Sequence, residues 1–363
     1  MRIMLCGGGT AGHVNPAIAV AETVMRNSCG SRIAYIATEK GIENKLVDFK
    51  KYYVDVIGMK RGLPLKNIPF LIKQMKAVEQ CKEYIREFRP DVIFGTGGYA
   101  TYPAIVAGKK LGVKTVIHES NAIPGRAILA LQKKADVILV NFEESKEHFK
   151  DKEKVIRTGN PLRISCDGAS KEEAKKELGI KEKFVILCTG GSLGAERINN
   201  SAIELIDNFI RFRQDVLFIW STGRAGYECA IKELTERGLN RLGNVMISDY
   251  YKNLPRLMAT ADVVISRAGA MTISELAYMK KASILVPSPN VANNHQFANA
   301  EALKKSNAAI VITEDRLYTL IETVRDMLAD SKLCKTLCCN IEKYAVKDAN
   351  KKIYSILTEI TLH

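Results

Sequence analysis

Short runs of β-branched and other apolar residues recur along the whole chain, separated by longer stretches in which apolar residues return every third or fourth position. In the first half these runs are Ile3 to Cys6, Ile33 to Ala37, Val92 to Gly95, Thr115 to His118 and Val137 to Val140. The pattern restarts with Phe184 to Cys188, Leu217 to Trp220, Val245 to Ser248, Val263 to Ser266, Ile284 to Pro287 and Ala309 to Ile312. Strands alternating with helix-length segments make βαβ units and parallel sheets. The pattern therefore predicts an α/β chain of two Rossmann-like, doubly wound domains, with a hinge at the turn residues Thr158-Gly159-Asn160-Pro161.

The second half opens as the first does. Gly7-Gly8-Gly9-Thr10-Ala11-Gly12 follows the first strand, and Gly190-Gly191-Ser192-Leu193-Gly194-Ala195 follows the first strand after the restart. Each turn precedes a helix. In the first helix Asn15 is predicted as N-cap and Pro16 as the opening residue, with Ile18, Ala21 and Met25 on one apolar face. A last helical stretch, from about Leu337 to Leu357, has no strand after it and is predicted to return to the first domain. The domains are thus set at 1–161 and 162–339, with a terminal helix at about 340–363.

A length of 363 residues suits two domains of about 150 residues each, and 47% apolar content suffices for two cores. No apolar run approaches the ~20 residues of a membrane-spanning helix. Met1 to Leu5 leads directly into the first glycine turn, without room for a secretory signal, so the chain is expected in the cytoplasm. Nine cysteines form no C-x-x-C pair, and Cys334, Cys338 and Cys339 have no histidines near them, which argues for reduced thiols over zinc or redox chemistry. The net charge of +14 suits nucleic acid, an anionic membrane surface or a polyphosphate substrate equally.

The first turn fits G-x-G-x-x-G at Gly7, Gly9 and Gly12, in which backbone N–H groups approach a phosphate at a helix N-terminus. A dinucleotide site also needs an acid at the end of the second strand, for which Glu39 is the nearest match. His13 stands at the rim of this turn as a possible base or as a histidine bonded to nearby backbone. Gly95-Thr96-Gly97-Gly98-Tyr99, His118-Glu119-Ser120-Asn121 and Asn141-Phe142-Glu143 leave other strand ends on the same side, where open α/β sheets bind ligands. In the second half, Ser266-Arg267-Ala268-Gly269-Ala270 leads into Thr272 and Glu275, which fit a capping box first and, second to it, a ribose contact by Glu275. The chain has no D-x-D, H-E-x-x-H or P-loop sequence, so no metal site and no cofactor are predicted. Charge on a departing diphosphate then falls to helix N-termini and to cations such as Arg163 and Arg267. Cations and apolar residues intermix from Met59 to Lys76, among them Ile68, Phe70, Leu71, Ile72 and Lys73, which suits an interfacial membrane contact or a core-packed helix behind a basic loop.

Together these segments resemble the MurG family of bacterial cell-wall N-acetylglucosaminyltransferases. The likeness rests on GGGTAGHVNPA at Gly7 to Ala17, GTGGY at Gly95 to Tyr99, HESNAIPG at His118 to Gly125, TGNPLR at Thr158 to Arg163, GGSLGA at Gly190 to Ala195, SRAGAMTISE at Ser266 to Glu275 and PSPNVANNHQFANA at Pro287 to Ala300. The chain departs from the family pattern at Leu193, Ser120 and Ala100-Thr101-Tyr102. The resemblance implies a GT-B fold and an inverting, metal-independent transfer of GlcNAc from UDP-GlcNAc to the muramoyl 4-hydroxyl of undecaprenyl-diphospho-MurNAc-pentapeptide (lipid I), giving lipid II. It implies that Ser192, Arg163 and Arg267 hold the donor diphosphate, Glu275 the ribose, the backbone around Tyr251 the uracil, and His295 and Gln296 the sugar. Gly9, Thr10, Ala11, Gly12, His13, Gly97, Gly98, Tyr99 and Asn121 would form the acceptor side, with Thr10, Gly12 and Asn121 also reaching the donor and His13 as general base. The implied partners are UDP-GlcNAc, lipid I and the anionic inner leaflet of the cell membrane, with no nucleic acid, and the implied location is peripheral on its cytoplasmic side. A UDP-GlcNAc 2-epimerase, a dehydrogenase using the first glycine turn, and a non-catalytic nucleotide-binding scaffold are the competing readings.

Overall fold

The computed structural model describes residues 1–56, 68–163, 170–191 and 193–362. The chain divides into two compact units, Met1–Ile164 with Val346–His363, and Ser165–Ala345.

Unit 1 is built on seven strands: β1 Arg2–Cys6, β2 Arg32–Ala37, β3 Lys50–Tyr53, β4 Val92–Gly95, β5 Lys114–Glu119, β6 Val137–Val140 and β7 Val155–Arg157. They lie in the order β3-β2-β1-β4-β5-β6-β7, and all neighbours are parallel. Successive side chains of β1 enter opposite cores. Met4 and Cys6 pack with Ile36, Ile93 and Ile117, whereas Ile3 and Leu5 pack with Phe94 and Val116. The second core also takes Ile353 and Leu357 from the helix Ala349–Leu362, so the chain's last helix covers this face of the first sheet. Each such buried side chain contributes about 1.5–3 kcal/mol relative to exposure.

Unit 2 holds β8 Phe184–Thr189, β9 Val216–Ser221, β10 Val245–Ser248, β11 Val263–Ser266, β12 Ala282–Leu285 and β13 Ile310–Val311. Their order, β10-β9-β8-β11-β12-β13, is again wholly parallel. In both units the strand order reverses beside the first strand, at β1/β4 and at β8/β11. Connections leave in opposite directions there and open a crevice at the strands' carboxyl ends. The turns after β1 and β4 are therefore neighbours, and so are those after β8 and β11.

All strands predicted from the apolar pattern are present. The edge strands β3 and β7 were not predicted, because Lys-Lys-Tyr-Tyr and Val-Ile-Arg lack the continuous apolar run of strands buried on both faces. The first helix begins at Ala11 with Thr10 as N-cap, so Pro16 lies inside it and Asn15 does not cap it. The N–H groups of His13 and Val14 both bond the Thr10 carbonyl, and coiling starts there. Thr272 is likewise not a cap: the helix Ala270–Tyr278 has Gly269 as N-cap, which puts Glu275 in its second turn with no capping duty. The last helical stretch is two helices, Ser331–Ile341 in unit 2 and Ala349–Leu362 in unit 1, with a 3-10 turn at Glu342–Tyr344 between them.

Candidate active site

Unit 1 brings the turns after β1 and β4 into backbone contact. Gly8 donates to the Gly97 carbonyl at 3.3 Å, and Thr96 Oγ1 donates to the His13 carbonyl at 2.5 Å. Gly97 and Gly98 take φ of +100° and +82°, and a Cβ on Gly98 would stand 2.2 Å from the Gly8 oxygen, so only glycine fits there. Tyr99 follows, half exposed.

His13 sits in the first helical turn above this contact. Its Nδ1 lies 3.0 Å from the Gly8 carbonyl oxygen and 3.4 Å from Thr10 Oγ1. A carbonyl only accepts, so Nδ1 carries the proton and Nε2 presents a lone pair. Burial pushes the imidazole below its ordinary pKa, against a smaller opposing effect of the Gly8 bond. The ring is thus neutral at neutral pH, in the tautomer a general base needs. A Cβ on Gly97 would come within 3.2 Å of Nε2, so the bare glycine backbone keeps that edge clear.

Two acids to which the sequence assigns no role of their own, Glu43 and Glu119, organise loops at these strand ends. Glu43, fully buried, accepts from the Thr38 N–H and hydroxyl at 2.9 and 2.8 Å, and its carboxylate lies directly behind Gly8. Glu43, and not Glu39, is therefore the acid beside the first turn. Glu119 shapes the loop after β5: its Oε1 accepts from the Asn121 N–H (2.8 Å) and Nδ2 (3.0 Å), and its Oε2 from the Gly125 N–H (2.8 Å). Its position beside His118 in the HESN segment was the available signal. His118 is a structural histidine, fully buried, with Nε2 bonded to the Gly159 carbonyl at 3.1 Å and its pKa pushed down to about 4 by burial.

In unit 2 the turn after β8 packs backbone to backbone against the turn after β9. A Cβ on Gly194 would stand 2.3 Å from the Thr222 oxygen, and one on Gly223 2.1 Å from the Gly194 nitrogen. The helix Glu196–Asn208 starts directly behind, its amino end favouring an anion at the turn. Ser192 lies outside the described residues. Leu193, beside it, is 77% exposed. From the neighbouring turn, Glu275 has its carboxyl pushed up to about 7 by burial. Arg267 is held in place, Nη2 on Glu314 Oε1 at 2.6 Å and Nη1 on the Val286 carbonyl at 3.2 Å. Gln296 Oε1 accepts the Ser288 N–H at 2.9 Å, next to His295 at the start of the helix His295–Lys305. Tyr251 is half-buried, its phenol pushed up to about 12 by burial, and its carbonyl accepts the Leu254 N–H at 3.2 Å.

Arg163 belongs to unit 1, where Nε and Nη2 engage Glu22 Oε1 at 3.0 and 2.8 Å. Of the predicted membrane set, Ile72 and nearby Met75 are exposed, and Lys73 pairs with Asp55 at 2.6 Å. The side chains of Ile68 and Leu71, and the whole stretch from Met59 to Lys66, lie outside the described residues. No helix among the described residues is long and apolar enough to cross a membrane.

Two Rossmann-type units with glycine turns at their strand reversals are an architecture of nucleotide-sugar enzymes, and both halves match glycosyltransferase domains. Residues 3–140 match the glycosyltransferase family 28 N-terminal domain and residues 185–353 its C-terminal domain. A relative from Caldicellulosiruptor saccharolyticus, named UDP-N-acetylglucosamine–N-acetylmuramyl-(pentapeptide) pyrophosphoryl-undecaprenol N-acetylglucosamine transferase, is 38% identical over 99% of this chain and 98% of its own. A relative of the same name from Bacillus licheniformis is 35% identical over the full length of both chains. The chain belongs to this N-acetylglucosamine transferase family, the MurG family. The crystal structure of Acinetobacter baumannii MurG superposes with a TM-score of 0.76 at 25% identity, covering 99% of each chain. A UDP-GlcNAc 2-epimerase from Neisseria meningitidis shares the fold, with a TM-score of 0.68 at 16% identity over 99% of this chain and 100% of that one.

Proposed function

We propose that this chain transfers GlcNAc from UDP-GlcNAc, with inversion, to the muramoyl 4-hydroxyl of undecaprenyl-diphospho-MurNAc-pentapeptide, forming lipid II and UDP in peptidoglycan synthesis. The observation that carries this reading is the end-to-end likeness to the transferase family, which spans both halves of the chain. The epimerase likeness is one of fold at far lower identity.

In this reading His13 Nε2 takes the proton of the muramoyl hydroxyl as that oxygen bonds the anomeric carbon and the UDP–sugar bond breaks. Gly9, Thr10, Ala11, Gly12, Gly97, Gly98, Tyr99 and Asn121 hold the acceptor. The helix amino end behind Gly190–Ala195, with Ser192, Arg163 and Arg267, stabilises negative charge on the leaving diphosphate. Glu275 accepts from the ribose hydroxyls, the backbone near Tyr251 holds the uracil, and His295 and Gln296 bond the sugar. Holding both substrates makes the reaction effectively unimolecular and keeps water from the donor. The exposed Ile72 and Met75 amid lysines support peripheral binding to an anionic membrane. Flotation with anionic vesicles that weakens with salt is the expected behaviour, and no flotation at low salt would remove this element.

The test is acceptor dependence. UDP release from UDP-GlcNAc should require a short-chain lipid I analogue. Conversion to UDP-ManNAc without acceptor would instead establish an epimerase.

A further inference from the structure

Residues 158–163 form the strap by which the chain leaves unit 1, and side chains of that unit grip it along its length. His118 bonds the Gly159 carbonyl, and Asn141 Oδ1 accepts the Asn160 N–H at 3.1 Å. Gly159, at φ +77°, lies so close to the returning chain that a Cβ would stand 2.5 Å from Val346 Cβ. The last grip falls on Leu162. The Asn350 side chain accepts the Leu162 N–H at Oδ1 (3.0 Å) and donates from Nδ2 to the Leu162 carbonyl (2.8 Å) and to Thr23 Oγ1 (3.1 Å). One amide thus satisfies both backbone groups of the residue next to Arg163, much as a paired strand would.

The attachment of the last helix does not need these bonds. Ile353 and Leu357 are buried against the first sheet, and Tyr354 donates to the Asn27 carbonyl at 3.1 Å. The Arg163 side chain is more than half exposed, and its Nε and Nη2 both rest on Glu22 Oε1, in an ion pair at the edge of solvent. The backbone at Leu162 fixes the point from which this side chain reaches out. We infer that Asn350 is a positioning residue for the transfer: it fixes the strap at Leu162 so that Arg163 is presented to the donor diphosphate, and it never touches substrate itself. This rests on the assignment of Arg163 to the diphosphate made above.

A double-mutant cycle in the full-length chain tests it, with UDP-GlcNAc, a short-chain lipid I analogue, and a melting temperature for each variant. Asn350→Ala should lower kcat/KM for UDP-GlcNAc by about tenfold, as expected for a misplaced binding group, and leave the acceptor KM unchanged. In an Arg163→Ala background the same substitution should cost nothing further, because coupled residues are non-additive. Asn350→Asp keeps an acceptor for the Leu162 N–H but sets a carboxylate oxygen against the Leu162 carbonyl and Thr23 Oγ1, so it should cost at least as much as Asn350→Ala. Should Asn350→Ala fail to fold, Asn350→Ser, which keeps a small polar group at this site, carries the same cycle. An equal loss in both backgrounds, or none in either, overturns the role of Asn350 while leaving Arg163 in place. If Arg163→Ala itself leaves UDP-GlcNAc kinetics unchanged, the donor assignment fails, and this inference with it.

Discussion

The His13 imidazole and the Gly8 carbonyl form a single unit: a 3.0 Å bond to Nδ1 turns a ring nitrogen of the first helical turn into a fixed donor and leaves Nε2 as an acceptor. The geometry does what a carboxylate does for many catalytic histidines, using only backbone. Removing the imidazole as His13→Ala should lower kcat by about 10²–10⁴. UDP-GlcNAc affinity, measured by calorimetry, should change little. Gly97→Ala should lower kcat as well, because it combines a left-handed backbone with a methyl 3.2 Å from Nε2. Parental turnover in His13→Ala would exclude the base assignment.

The Glu275 carboxyl, pushed up to about 7 by burial, predicts a pH dependence of donor binding. The ionised form offers both oxygens as acceptors to the ribose hydroxyls and binds them more strongly than the protonated acid does. UDP-GlcNAc affinity should therefore rise with pH up to about 7 and then level off, and Glu275→Gln should flatten the profile. Folding stability of the free protein responds with the opposite sign. The folded carboxyl binds its proton more tightly than the unfolded one, so stability falls as pH rises from about 4.5 to 7. A UDP-GlcNAc affinity independent of pH in the parent would remove Glu275 from the ribose.

Much of this was legible in the chain, for reasons specific to each element. Strands buried on both faces, such as Val263–Ser266, are continuous apolar runs and announce themselves. The edge strand Lys50–Tyr53 does not, because one side of it meets solvent. The glycine turns were readable because Gly98 and Gly194 face other backbone, where no side chain fits. Caps were misassigned where the residues looked right in isolation: Asn15-Pro16 and Thr272 both fit helix starts, yet in each case the helix had begun further upstream. The grip of Asn350 on Leu162 spans 188 positions and leaves no local signature.

Acid should destabilise unit 1 through His118. Its folded pKa of about 4 lies below the ordinary 6.5 of an unfolded histidine, so the unfolded chain takes up a proton first. The contribution is fully present above about 6.5 and is lost progressively as pH falls toward 4, by up to about 3 kcal/mol. Melting curves of the parent and His118→Gln at matched pH isolate this effect, and the variant's dependence between 4 and 6.5 should be the shallower. Identical slopes would show that His118 is not buried neutral.

The most direct measurement is the structure of the product. Full-length protein, UDP-GlcNAc and a short-chain lipid I analogue should yield one new species, heavier than the acceptor by a single GlcNAc, with the added sugar β-linked to the muramoyl 4-hydroxyl by NMR. An α-linked product, attachment at another hydroxyl, or free GlcNAc with unmodified acceptor would contradict the account.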